Sequence, residues 1–174
     1  MQYSKHGRIS TDEWVHAGAD GELPAQGNLI VPLARWVASR DEIMARKNPA
    51  GLRLAPSEAP ELIRDDLVRF ALIALEFPVF RDGRPYSHAR LLREQYGFRG
   101  ELRAVGNVLY DQFSFMHRCG FDAYEVQKDA DAQRFARALQ EFTVRYQADP
   151  DGAPSIIELR HQPFRNVKTG RGRP

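Results

Sequence analysis

The sequence predicts an α/β fold: about five mostly parallel strands with helices on both faces, arranged as an open, flavodoxin-like sandwich. Three observations carry that expectation. Short apolar runs alternate with helical segments long enough for right-handed crossovers. The run Phe70-Ala71-Leu72-Ile73-Ala74-Leu75-Glu76-Phe77 is apolar on both faces until Glu76, as a central parallel strand requires. Phe135, Leu139, Phe142 and Tyr146 recur at three- or four-residue spacing, a helical stripe over 131–146. The same units suit a partial (β/α)-barrel-like arrangement, the alternative, although a closed barrel normally takes eight units and about 250 residues.

The elements follow in order. Residues 1–28, broken by Gly18, Gly21 and Gly27, read as an arm or short hairpin ahead of a single α/β domain over 29–147. Leu29-Ile30-Val31-Pro32-Leu33 is the first strand, and a helix over 33–47 carries Trp36, Ile43 and Met44. Leu52-Arg53-Leu54-Ala55 is a second strand, and Pro60 and Glu61 favour the start of a helix reaching Leu67. After the central strand, Ser87 is the expected cap of a helix through Tyr96 that Gly97 ends. Glu101-Leu102-Arg103-Ala104-Val105 is the next strand. Asn107 is then expected to cap a helix that Gly120 stops, and a strand follows over 121–126. Residues 148–174 form a C-terminal extension: a short edge strand, Ser155 to Leu159, precedes a basic flexible tail with Arg165, Lys168, Arg171 and Arg173.

With 174 residues and 43% hydrophobic content, the chain can bury one core without disulfides or a structural metal. Its 25 basic and 23 acidic residues nearly cancel, which argues against nucleic acid as a partner. The longest apolar run is too short to cross a bilayer, and no signal-like segment opens the chain. The single cysteine, Cys119, rules out an internal disulfide and a four-thiolate iron–sulfur cluster and points to the cytoplasm.

Chemistry is expected at the carboxyl ends of the strands, where loops and helix starts meet. The loop after the central strand supplies Asp82, Arg84, Tyr86 and Ser87; the next supplies Asn107, Asp111 and Gln112. If the loops face one another, Arg84, Tyr86, Ser87 and Asn107 form an anion-binding set, with Asp82, Asp111 and Gln112 completing a polar cleft for an oxyanion or carboxylate. Asp111 could orient Arg84 or act as a base. The bland reading of the same residues is a turn at Asp82-Gly83, an ordinary cap at Ser87, and Arg84 paired with Asp82 or Asp111. Catalytic residues stay unassigned. Cys119 sits near the negative end of its predicted helix, where a thiolate is disfavoured, despite His117 and Arg118 beside it. The five histidines are dispersed and none pairs at metal-ligand spacing, so no metal site is expected. No phosphate-cradling loop, dinucleotide fingerprint or nucleophile elbow is present, so no cofactor is expected.

From about Leu29 to Tyr146 the chain resembles a bacterial family of unknown function, usually encoded beside the haem-dependent sulfite reductase in sulfate-assimilation operons. The likeness is densest in Phe77-Pro78, Asp82-Gly83-Arg84, Tyr86-Ser87, Ala89-Arg90-Leu91-Leu92-Arg93, the run Gly100 to Gly106, Asp111-Gln112 and Arg118-Cys119-Gly120-Phe121-Asp122. It implies a cytoplasmic protein labelled as an oxidoreductase of sulfite reduction, a label resting on gene association. One cysteine cannot hold the four-cysteine cluster coupled to that haem. The resemblance therefore implies an accessory protein with sulfite reductase as its partner, as assembly factor, docking partner or handler of a small sulfur oxyanion. An α/β enzyme with its own oxyanion site and a homodimeric scaffold are the rival readings.

Overall fold

A computed structural model describes residues 2–5, 8–126 and 160. Eight strands form one sheet among them: β1 (Gln2–Lys5), β2 (Arg8–Thr11), β3 (Trp14–His16), β4 (Asn28–Pro32), β5 (Ala50–Leu54), β6 (Phe70–Phe77), β7 (Glu101–Gly106) and β8 (Ala123–Val126). Their order is β2-β1-β8-β7-β6-β5-β4-β3, with β3 to β8 parallel and β1 antiparallel to both β2 and β8. Mixed α/β character and a parallel centre agree with the sequence expectation. The strand count, the antiparallel members and the order do not.

From β3 to β8 each strand neighbours the next in sequence, so the order never reverses. A flavodoxin-like sheet reverses, which sends helices to both faces; crossovers of one hand in one direction send them all to one face. The core agrees. Trp36, Ile43, Ile63, Leu67, Ala89, Leu92, Phe113 and Met116 from the helical segments share one cluster with Leu29, Val31, Leu52, Leu54, Ile73, Leu75 and Leu102 of the strands. On the opposite face Ile30, Leu72, Ala74 and Val105 form a smaller cluster against Trp14. Helices on both faces are thus corrected to helices on one face.

The sheet also curls. β2 and β3 lie at its two ends, yet only Asp12 and Glu13 separate them. Eight strands laid flat would hold those ends roughly 34 Å apart at ~4.8 Å per strand. Three Cα steps span at most about 11 Å. Residues 8–16 therefore act as one extended segment that pairs with β1 through its first half and with β4 through its second. The result is a barrel-like curl with the small cluster inside and the helices outside, nearer the alternative arrangement than the sandwich. Gly51 makes room for it: a β-carbon there would lie 3.1 Å from Ile30 and 3.2 Å from the Trp14 ring.

The helical segments are shorter and tighter than the sequence suggests. The helix expected over 33–47 is broken at Ser39 into α1 (Leu33–Ala38) and α2 (Arg40–Met44). Residues Pro60–Arg69 form a 3-10 helix, pinned where Trp36 Nε1 donates to Asp66 Oδ2 at 3.2 Å and Arg40 pairs with the same carboxylate. Helix α3 (Arg84–Arg90) begins after Gly83, with Pro85 in its first turn, so Ser87 lies inside the helix and not at its cap. It runs on into a π-turn over Leu91–Gln95, and Gly97 at φ +66 ends it as expected. A 3-10 turn over Tyr110–Gln112 leads into α4 (Phe113–Arg118), preceded by Gln112 and not by Asn107. The helix and edge strand expected over 131–146 and 155–159, and the basic tail, fall outside the described residues.

Candidate functional site

At the carboxyl ends of β6 and β7 the two signature loops touch. Asn107 N donates to Phe77 O at 2.7 Å, and Gln112 Nε2 donates to Phe80 O at 2.8 Å. Gly106, at φ +93, permits the approach, since a β-carbon there would lie 2.6 Å from Phe77 O. Gln112 Oε1 is buried without a hydrogen-bond partner among the described residues.

The proposed anion set is only partly assembled there. Arg84 Nε and Nη2 donate to Asp82 Oδ1 and Oδ2 at 3.0 and 2.7 Å, and the Arg84 amide donates to Oδ1 at 3.1 Å. That fork is taken. The Arg84 bonds hold the Asp82 carboxyl below its usual range, and the Asp82 bonds push Arg84 upward. Ser87, Asn107 and Asp111 are exposed. Tyr86 instead turns toward the core, with its ring 5.2 Å from Phe77 and 5.0 Å from Phe115. Burial, with Cys119 and Asp111 nearby, pushes its phenol up to about 12.

Large apolar side chains are exposed at this end of the molecule beside these polar groups. Val79, Phe80, Leu109 and Phe115 are all exposed, Phe80 and Phe115 at 49% and 50%. They come from the loop after β6, the segment after β7 and α4, and the Gln112–Phe80 bond and the Tyr86–Phe115 contact draw these elements together. Exposed aromatic groups on elements that touch are candidates for an interaction surface. Helical spacing in the sequence does not say which of these side chains is covered.

A second constellation lies inside the curl. Arg103, 2% exposed, donates through Nε and Nη2 to Glu101 Oε1 at 3.0 and 2.9 Å and through Nη1 to Asp12 Oδ1 at 2.9 Å. Lys5 pairs with Glu101 at 2.5 Å, and His16 Nε2 lies 3.1 Å from Asp12 Oδ2. The Tyr3 ring lies 4.3 Å from the Arg103 guanidinium. Two carboxylates meet two permanent cations, so the network is balanced and saturated, as buried charges must be. Burial opposes the ionisation of Asp12, but the Arg103 bonds, with help from His16 and the Trp14 amide, outweigh it and hold the carboxyl below its usual value. Arg53 and Glu76 share this inner face by register, partly exposed. The sequence signal was present but unread: Arg103 interrupts an apolar strand at an inward position.

Cys119 is buried, and Gly120 after it adopts φ +102 as expected for a helix stop. Among the described residues no group of histidine, cysteine and carboxylate side chains is placed to hold a metal ion. No helix among them is long and apolar enough to cross a membrane.

A family model described as "Bacterial protein of unknown function (DUF934)" matches residues 51–157, more than half of the chain. The chain belongs to that family. Comparisons with curated proteins and with solved structures return no match. In this member of the family the matched span takes in β5 to β8, both touching loops and Arg103, whereas Asp12, His16 and Lys5 lie ahead of it.

Proposed function

We propose that this protein serves assimilatory sulfite reduction in the bacterial cytoplasm as an accessory protein that docks onto sulfite reductase and carries no redox cofactor itself. The pathway rests on the resemblance of residues 29–146 to proteins encoded beside that enzyme. The docking role rests on one observation, the exposed apolar side chains of Val79, Phe80, Leu109 and Phe115 on the two signature loops and α4. Aromatic groups at the centre of an interface supply most of its energy.

Co-purification with sulfite reductase tests the reading. The unaltered chain is expected to retain the enzyme and a Phe80→Asp/Phe115→Asp variant to release it, with slowed growth of a deletion strain on sulfate. Normal growth together with no association sinks the proposal. The same side chains suit a homodimeric scaffold, which sedimentation separates: a dimer that the two aspartates dissolve would replace the reductase with a second copy. The oxyanion-enzyme reading requires calorimetric heat with sulfite, sulfate or phosphate that Arg84→Ala abolishes. Because Asp82 occupies the Arg84 fork, no such heat is expected.

A further inference from the structure

At the opposite end of the strands lies a groove of about 330 Å³ between the end of the 3-10 helix and the turn into β7. Its floor is Phe70 and Phe98, its walls are Leu67 and Tyr96, and Val68 stands 93% exposed at its lip. The groove is firmly built. Arg93 donates from Nη1 to Phe98 O and Gly100 O at 2.7 and 2.9 Å and from Nε to Gly120 O at 3.0 Å, and it pairs with Asp122, so the wall is tied to β7 and to the end of α4. The π-turn over Leu91–Gln95 sets Tyr96 against it, through a bond from Tyr96 N to Leu91 O at 3.1 Å. Such turns recur at functional sites because they rotate the next side chain out of helical register.

The rim is positive. Arg99 lines the groove, and the Arg64 guanidinium lies 5.3 Å from the Tyr96 ring centre. Neither is in a carboxylate ion pair among the described residues, whereas Arg69 is 3.4 Å from Asp66 and Arg93 is held by Asp122. A twofold pairing of two copies through this groove would bring Arg64 and Arg99 against their own equivalents, and the tail residues Arg165, Lys168, Arg171 and Arg173 carry the same sign. An apolar floor beside two guanidinium groups that no carboxylate pairs among the described residues suits an apolar anchor flanked by carboxylates.

We infer that this groove receives a short acidic segment of a partner protein, with an aromatic or aliphatic anchor over Phe70 and Phe98 and its carboxylates on Arg64 and Arg99. The site is separate from the exposed apolar side chains at the carboxyl ends of the strands, so each surface stands or falls alone.

The test titrates the full chain with a fluorescent peptide holding one phenylalanine among aspartates and glutamates. Saturable binding that weakens with rising salt is expected, reduced about tenfold or more in an Arg64→Ala/Arg99→Ala variant and in Val68→Asp. These side chains are exposed or at the rim, and circular dichroism checks that the variants stay folded. Serine in place of the peptide's phenylalanine is expected to abolish binding, and Phe80→Asp to leave it unchanged. Absence of saturable binding, equal binding by the three groove forms, or equal binding of a lysine-substituted peptide would overturn the inference. A dimer that Val68→Asp dissolves would overturn it too, assigning the groove to a second copy.

Discussion

Arg103 Nη1 lies 2.9 Å from Asp12 Oδ1, with the two side chains 2% and 3% exposed, joining positions 91 residues apart across the inside of the curled sheet. Asp12 sits between β2 and β3, where the extended segment 8–16 passes from pairing with β1 to pairing with β4. The ion pair therefore fastens the segment that brings the two ends of the sheet together.

Arg103→Met keeps much of the stem but leaves Asp12 and Glu101 without their buried cation. Removing one partner of such a pair costs about 3–5 kcal/mol, because the remaining charge has no solvent to turn to. Urea denaturation is expected to show a loss of that order. A loss under ~1 kcal/mol would mean that water reaches the network.

Asp12 also sets an acid limit. Its folded-state pKa lies below the ordinary 3.8, so the stability it contributes is present above that value and disappears as pH falls through the lower, folded one. Denaturation midpoints measured from neutral pH into this acid range are expected to drop more steeply for the unaltered protein than for Asp12→Asn. Parallel pH profiles would contradict the assignment.

Tyr86 acts in the opposite direction. Burial, then the neighbouring Cys119 and Asp111, raise its phenol from 10.0 to about 12. The stability linked to the retained proton is complete below pH 10 and lost as pH climbs toward 12. Ultraviolet titration of the folded protein is expected to show a tyrosinate step near pH 12 that Tyr86→Phe removes.

The junction of the loops depends on Gly106. Its φ of +93 disfavours any side chain, and a β-carbon would press on Phe77 O at 2.6 Å. Gly106→Ala is expected to destabilise by roughly 1–3 kcal/mol in thermal unfolding. Gly83→Ala serves as the control, because φ is −84 there and nothing lies within 4 Å; a change of no more than about 1 kcal/mol is expected.

The sequence by itself determined the local elements. Its β-branched and apolar runs located β4, β5, β6 and β7 to within two residues, and the stops at Gly97 and Gly120 are found in the left-handed conformation that glycine allows. These features depend on near neighbours along the chain, so they are legible in its order. Helix starts were less so, since Gly83 precedes α3 and Ser87 lies within it: several residues can begin a helix, and packing selects one.

Only the tertiary structure decided the rest. Strand order fixed the side on which the helices lie, and with it the barrel-like curl in place of a sandwich. Register turned Arg103 inward to meet Asp12, and the Asp82 pairing occupied the Arg84 fork that the sequence had offered to an anion. The meeting of the Phe80 and Gln112 loops, the exposure of Phe80 and Phe115, and the groove below Tyr96 all join residues far apart in the chain. Residue type states what a side chain can do; which partner reaches it first is set by the path of the backbone.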